Sequence, residues 1–184
     1  MNRMHWKTLG IVLAGALLAG CASGPKKPDW VIKGSGAFQD AGKKVLYGVG
    51  VAEGIRSEAL RRTTADNRAM ADISKQISTL STSLMRDYMG STSVPAAEKE
   101  SGEQYIENTI KTFASNTLSG VKVIDRYEDE KKGTLYSLAS LNIDDLKATA
   151  DQMKELSQGV KEYIKANAEK AFDKLETEQT KSAQ

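Results

Sequence analysis

Histidine and cysteine are nearly absent from this chain, which has one of each among its 184 residues. Both lie close to the N-terminus, at His5 and Cys21. No later position can supply an imidazole or a thiol, which excludes Cys/His zinc sites, cysteine nucleophiles and histidine-based triads there. A disulfide within one chain is excluded as well. We therefore expect no catalytic residues, no metal site and no cofactor, and we expect that the protein is not an enzyme.

The chain also lacks a long hydrophobic run and a strong excess of either charge. The uncharged apolar stretch at residues 9–18 is too short to cross the ~30 Å hydrocarbon core of a bilayer. Lysine and arginine number 26, against 24 aspartate and glutamate residues. This balance provides no basic stripe of the kind that nucleic-acid binding requires. We expect no nucleic-acid partner.

The N-terminus has the three parts of a bacterial lipoprotein signal peptide. Two basic residues precede the apolar stretch, and the sequence LAGC at residues 18–21 resembles a lipobox. Small residues fit the signal peptidase, and the Cys21 thiol would take the diacylglyceryl group. We predict that residues 1–20 are removed and that residues 21–28 form a lipidated polar tether. The alternative is an ordinary secreted protein with an incidental cysteine.

Hydrophobic periodicity predicts one α+β domain over residues 29–158 and a helical C-terminal extension with a frayed end over residues 159–184. The predicted strands are residues 44–52, 121–127 and 134–141, of which the last two form a hairpin. The predicted helices are residues 58–89 with Ser57 as N-cap, residues 96–118, and a region beginning at Asp144 or Asp145. We expect a three-stranded antiparallel sheet packed by helices, in the order β-α-α-β-β-α. Gly159 is expected to divide the last helical region into a docked half and a protruding half.

Two patterns that are shared with catalytic or phosphate-binding sites have a simpler structural interpretation here. The glycines of the first strand resemble a phosphate-binding loop, but Glu53 stands where the third glycine is required. We interpret Gly48 and Gly50 as positions where a helix packs closely on the strand. The acidic pair Asp144-Asp145 is interpreted as helix capping.

Five residues are candidates for an interaction surface: Trp30, Tyr47, Arg56, Arg61 and Arg62. Together with Arg68, the three arginines cluster around the start of the long helix. They form either a docking patch for an acidic partner or lipid headgroups, or a solvated face paired with Glu58 and Asp66. The two aromatic residues are either core and edge anchors or an exposed ligand platform. The polar run at residues 74–83 is either ordinary surface or a face for self-association.

Several short sequences resemble the LPP-twenty type of bacterial lipoprotein, a family named after a twenty-kilodalton outer-membrane lipoprotein. They are PDWV at residues 28–31, YGVGVA at 47–52, the helix with Ala65, Ala69 and Ile73, and LYSLA at 135–139. The resemblance covers about residues 28–154. It implies a small α+β domain with an antiparallel sheet, anchored to the outer membrane, and it supplies no catalytic residues. Related domains occur in flagellar outer-membrane-ring proteins and in lipoprotein activators of cell-wall synthases.

The leading hypothesis is a lipid-anchored envelope lipoprotein that acts as a non-enzymatic scaffold or protein-interaction module. Ala22 at the second mature position points to the outer membrane under the sorting rule for such lipoproteins, and we expect the domain to face the periplasm. Envelope proteins are the expected partners, and a homo-oligomer is an alternative assembly. One alternative function is peptidoglycan or envelope-glycan binding through Trp30, Tyr47 or Tyr136. Another is an accessory role in a flagellar or cell-wall-synthesis assembly.

Overall fold

The computed structural model describes residues 26–38, 44–91 and 102–182. In these ranges the chain forms five α-helices and three strands: α1 Asp29–Lys33, β1 Val45–Ala52, α2 Glu58–Gly90, α3 Gly102–Thr117, β2 Lys122–Asp129, β3 Thr134–Asn142, α4 Ile143–Gln152 and α5 Gln158–Ser182. The strands form one antiparallel sheet in the order β1-β3-β2. The predicted α+β class is confirmed. Cys21 and the predicted start of the second helix lie outside the described residues.

The glycines of β1 allow α2 to lie directly on the sheet. Every second residue of β1 is buried, and these residues include Gly48 and Gly50. A Cβ atom added to Gly50 would lie 2.0 Å from the Ala65 carbonyl oxygen, and one added to Gly48 would lie 2.4 Å from that of Ala69. Ser57 caps the helix where predicted, since its Oγ accepts a hydrogen bond from the Leu60 amide at 3.4 Å. The close-packing interpretation of the two glycines is confirmed.

The main hydrophobic core lies along α2, between the sheet and the other long helices. The buried residues of α2 recur at three- and four-residue spacing, as predicted for one apolar stripe. Towards the end of α2 this stripe packs against α3 and α5 instead of the sheet. The core residues of α2 are Ala69, Ile73, Ile77, Leu80, Leu84, Met85 and Tyr88.

Helix α5 packs on the core from Val160 to Leu175, so the expectation of a protruding second half is wrong. Its apolar residues belong to the same core as the buried residues of α2: Val160, Ile164, Ala168, Ala171, Phe172 and Leu175. The break between α4 and α5 falls before Gln158 rather than at Gly159. Gly159 lies in the first turn of α5, where an added Cβ would be 2.6 Å from the Tyr88 hydroxyl oxygen. This glycine therefore permits helix packing and does not divide the helix.

Replacing Gly50 by alanine should destabilise the fold strongly, because the added methyl group meets the backbone of α2 and not a movable side chain. We expect Gly50→Ala to lower the free energy of unfolding by about 3 kcal/mol or more, at or above the upper end for overpacking. Urea denaturation followed by circular dichroism measures the change. Gly90→Ala is the matched control, because an added Cβ at Gly90 meets nothing within 4 Å. Equal stability of the two variants would contradict the close-packing argument.

Candidate functional site

Side chains of α2 occupy the free edge of the sheet at β1. Three polar residues, spaced four apart on the helix, reach backbone groups of the strand. Arg68 donates to the Val51 carbonyl oxygen, Asp72 accepts from the Val49 amide at 3.1 Å, and Gln76 donates to the Tyr47 carbonyl oxygen at 2.7 Å. These contacts use backbone groups that an edge strand otherwise offers to another strand. This edge is therefore partly closed to β-strand addition.

The segment of residues 27–38, here called the N-terminal strap, crosses the sheet face opposite α2. It contacts all three strands. Trp30 donates through Nε1 to Asp125 of β2 at 3.0 Å, Lys27 Nζ lies 5.0 Å from the ring centroid of Tyr136 on β3, and the Phe38 ring stacks on Tyr47 of β1 at a centroid distance of 4.0 Å. The strap begins six residues after the predicted lipid attachment site at Cys21. The first segment of the described chain therefore packs on the sheet.

The aromatic candidates lie under or beside this strap. Trp30 is only 5% exposed, so it is a buried anchor, as the first of the two interpretations expected, and the alternative of an exposed Trp30 platform is wrong. Tyr47 is half-buried with its ring stacked on Phe38. Tyr136 is half-buried, with Lys27 over its ring and Tyr127 at a centroid distance of 6.2 Å. These rings therefore make contacts within the protein.

The three candidate arginines differ in their surroundings. Arg61 forms an ion pair with Glu128 of β2, and its side chain is only 16% exposed. Arg62 pairs with Glu58 at 3.1 Å on the surface of α2, as one interpretation of the cluster expected. Arg56 is exposed in the turn before the helix. Arg61 therefore joins the helix to the sheet, and only the other two are exposed to solvent.

Asp66 carries a polar network that the sequence did not reveal. One interpretation of the arginine cluster expected Asp66 to pair with arginines of its own helix. Instead, Asp66 accepts two hydrogen bonds from Arg126 of β2, at 2.9 and 2.8 Å. The Ser137 hydroxyl of β3 donates to it at 2.7 Å. The hydrogen bonds from Arg126, more than that from Ser137, lower the pKa of Asp66 below its ordinary value, against an opposing effect of burial. The network attaches both β2 and β3 to α2 through polar side chains.

The outward face of α2 is exposed and uncharged over much of the helix. It points away from the sheet and contains Leu60, Thr63, Asn67, Met70, Ala71, Ser74 and Ser78. Leu60 is 56% exposed and Met70 is 36% exposed, which makes them two of the exposed large hydrophobic residues of the described chain. In the sequence, these uncharged residues recur at three- and four-residue spacing, which predicts one uncharged helix face. Only the packing of α2 shows that this face is exposed to solvent. We call this set of residues the α2 outer face.

The described ranges contain neither a metal-binding cluster nor a membrane-spanning helix. Among these residues, no group of three or more histidine, cysteine, aspartate or glutamate side chains is arranged to hold a metal ion. Within the same ranges, the helices are too short or too polar to cross a membrane.

Replacing Asp66 by asparagine tests the network at the start of α2. We expect Asp66→Asn to lower the free energy of unfolding at pH 7 by about 1–2 kcal/mol, because charge-assisted hydrogen bonds to Arg126 are lost. The carboxylate has a lowered pKa when folded, so its stabilisation is fully present above the unfolded pKa of about 3.9. It disappears as the pH falls through the folded pKa, and the two proteins should converge there. Urea titrations between pH 3 and pH 7 measure this.

The control for this prediction is Glu107→Gln, which removes an exposed ion pair with Lys111 within one helix. Such surface pairs contribute little, so we expect no measurable change. A destabilisation by Asp66→Asn that is the same at every pH would contradict the ionic network.

The part of the chain that matches a known protein family ends where the sheet ends. The family model of the LPP20 lipoprotein matches residues 28–142, from the second residue of the strap to the end of β3. The match is shorter than the expected resemblance to about residue 154, and it leaves α4 and α5 outside. No curated protein matches the chain. Because the family model covers more than half of the chain, including the whole sheet, the protein belongs to the LPP20 lipoprotein family.

Proposed function

We propose that the protein is held at the outer membrane by lipid on Cys21 and acts there as a non-enzymatic protein-interaction module facing the periplasm. The lipobox at residues 18–21 and the family membership support the anchor. Ala22 supports outer-membrane sorting. The observation that carries the interaction role is the α2 outer face.

The α2 outer face shares two features with the centres of protein interfaces, namely the absence of charge and an exposed methionine. Protein interfaces are depleted of charged residues at their centre and often contain methionine, while arginine is common in them. Here Leu60 and Met70 lie among small uncharged side chains. Two exposed basic residues, Arg68 and Lys75, lie along one side of this face, whereas Arg62 is paired with Glu58. The face therefore suits a partner with an apolar centre and acidic groups at that side.

Two threonine hydroxyl groups at or beside this face reduce the cost of its burial by a partner. Thr63 donates to the Ala59 carbonyl oxygen at 3.0 Å, and Thr82 donates to that of Ser78 at 2.8 Å. These donors are satisfied within their own helix. A partner that excludes water from them leaves no unpaired donor, so the usual desolvation cost is reduced.

The same charges favour a different protein over a second copy as the partner. Two copies docked through the α2 outer face would bring the same basic residues together, and like charges repel. The accessory role in a flagellar or cell-wall-synthesis assembly is one form of this proposal. The aromatic residues invoked for glycan binding are engaged by the strap, so the interaction role is the better supported one.

The anchor is tested by Cys21→Ser. We expect the natural chain to incorporate labelled palmitate and to sediment in the outer-membrane band of a density gradient, since acyl chains anchor it. The Cys21→Ser variant should incorporate no label and leave the membrane fraction. Ser23→Ala is the control, because it alters the tether without removing the thiol, and it should behave as the natural chain. Unchanged labelling and sedimentation of Cys21→Ser would refute the anchor.

The interaction face is tested by photocrosslinking in intact cells. A photoreactive residue at Asn67, in the middle of the α2 outer face, should crosslink an envelope protein. The same residue at the exposed position Lys170 of α5 serves as a control and should not. Adding Leu60→Asp should reduce the Asn67 product at least about tenfold, because a charge would be buried at the interface centre. Lys170→Asp should leave it unchanged.

Three results would contradict this assignment. Equal products at both positions, or insensitivity to Leu60→Asp, would show that the α2 outer face is ordinary surface. A crosslinked product between two copies of this chain would show that the α2 outer face forms a homo-oligomer and does not bind a different protein.

A further inference from the structure

We propose that the N-terminal strap is itself a lipid-contacting surface, with Ile32 inserted at the bilayer interface and lysines against anionic phospholipid headgroups. This inference rests on the proposed anchor at Cys21 and goes beyond it. It gives the domain a fixed orientation, with the strap face of the sheet towards the membrane.

The exposure of Ile32 is imposed by the packing of α1. Ile32 is 69% exposed, more than Leu60, Ile124 or Met70, whereas Trp30 on the same short helix is 5% exposed. Trp30 is fixed by its hydrogen bond to Asp125 at 3.0 Å. Because α1 cannot turn without withdrawing Trp30 from the sheet, Ile32 stays directed away from the protein.

The charges around Ile32 complement an anionic lipid surface. The strap and Lys26, the residue just before it, together contain three lysines and one aspartate. Lys26 and Lys33 are exposed, and the ion pair of Lys33 with Asp29 is long at 3.5 Å, with both side chains more than half exposed. Such a pair is weak and leaves the lysine able to contact a headgroup. An exposed aliphatic side chain flanked by lysines is typical of peripheral membrane contacts.

The predicted tether holds this surface close to the bilayer. Cys21 precedes Lys26 by five residues, which extend to no more than about 18 Å. Within α1 each residue adds only about 1.5 Å. The strap is therefore the first folded segment above the membrane. The α2 outer face lies on the opposite side of the sheet, so both surfaces can be occupied at once.

Trp30 provides a native probe for this contact. The chain has two tryptophans, and Trp6 lies in the predicted signal peptide, so Trp30 would be the only tryptophan of the mature chain. The lipidated protein is reconstituted into vesicles of phosphatidylethanolamine and phosphatidylglycerol, with or without brominated acyl chains, and isolated by flotation. Bromine quenches tryptophan only at short range. We expect about a twofold loss of Trp30 fluorescence in brominated vesicles, because an interfacial helix sits at the acyl boundary.

Two variants and one lipid control complete the test. Ile32→Asp should abolish most of the quenching, whereas Leu60→Asp, at an exposed hydrophobic position on α2, should leave it unchanged. Vesicles of phosphatidylcholine alone should give weaker quenching, since the lysines then lack anionic headgroups. Floated protein without quenching, or equal quenching of Ile32→Asp, would overturn the inference and leave the anchor intact. Protein that does not float with the vesicles would overturn the anchor, and the inference with it.

Discussion

The direct contact between the backbones of α2 and β1 determines where the other elements lie. It exists because Gly48 and Gly50 have no side chains on the face that α2 covers, at the level of Ala65 and Ala69. The short separation brings the polar residues at one side of α2 within reach of the strand's free edge. It also fixes the rotation of the helix about its axis. The buried stripe, the edge contacts and the α2 outer face are three consequences of that rotation.

The length of α2 explains the helical part of the molecule. Its 33 residues extend about 50 Å, whereas the eight residues of β1 extend about 27 Å. The apolar stripe therefore continues well beyond the sheet and would be exposed there. Helices α3 and α5 cover this part, and Tyr88 packs beside Gly159 near the end of α2. The C-terminal helix is thus required to bury the second half of α2, although it lies outside the matched family region.

The two edges of the sheet are protected in different ways. At β1, side chains of α2 take up backbone groups of the strand. At β2, a register shift between Val123 and Asp125 disturbs the ladder, and charged residues are frequent along the strand. Irregularity and charge both disfavour pairing with another strand. In the proposed arrangement, contacts with partners use the α2 outer face, and contacts with lipid use the strap.

The periodic segments of the sequence were sufficient to predict the α+β class, the hairpin, the Ser57 cap and the role of Gly48 and Gly50. These features depend on short-range patterns, namely alternation, three- and four-residue spacing, and capping chemistry. Helix α1 has only five residues, too few to show periodicity, and its position is fixed by Asp125, which is distant in sequence. The tertiary structure alone decided that Trp30 is buried while Ile32 is exposed, that Asp66 pairs with Arg126, and that α5 docks on α2. In each case the partner comes from a distant segment, and its position becomes known only when α2 is placed on the sheet.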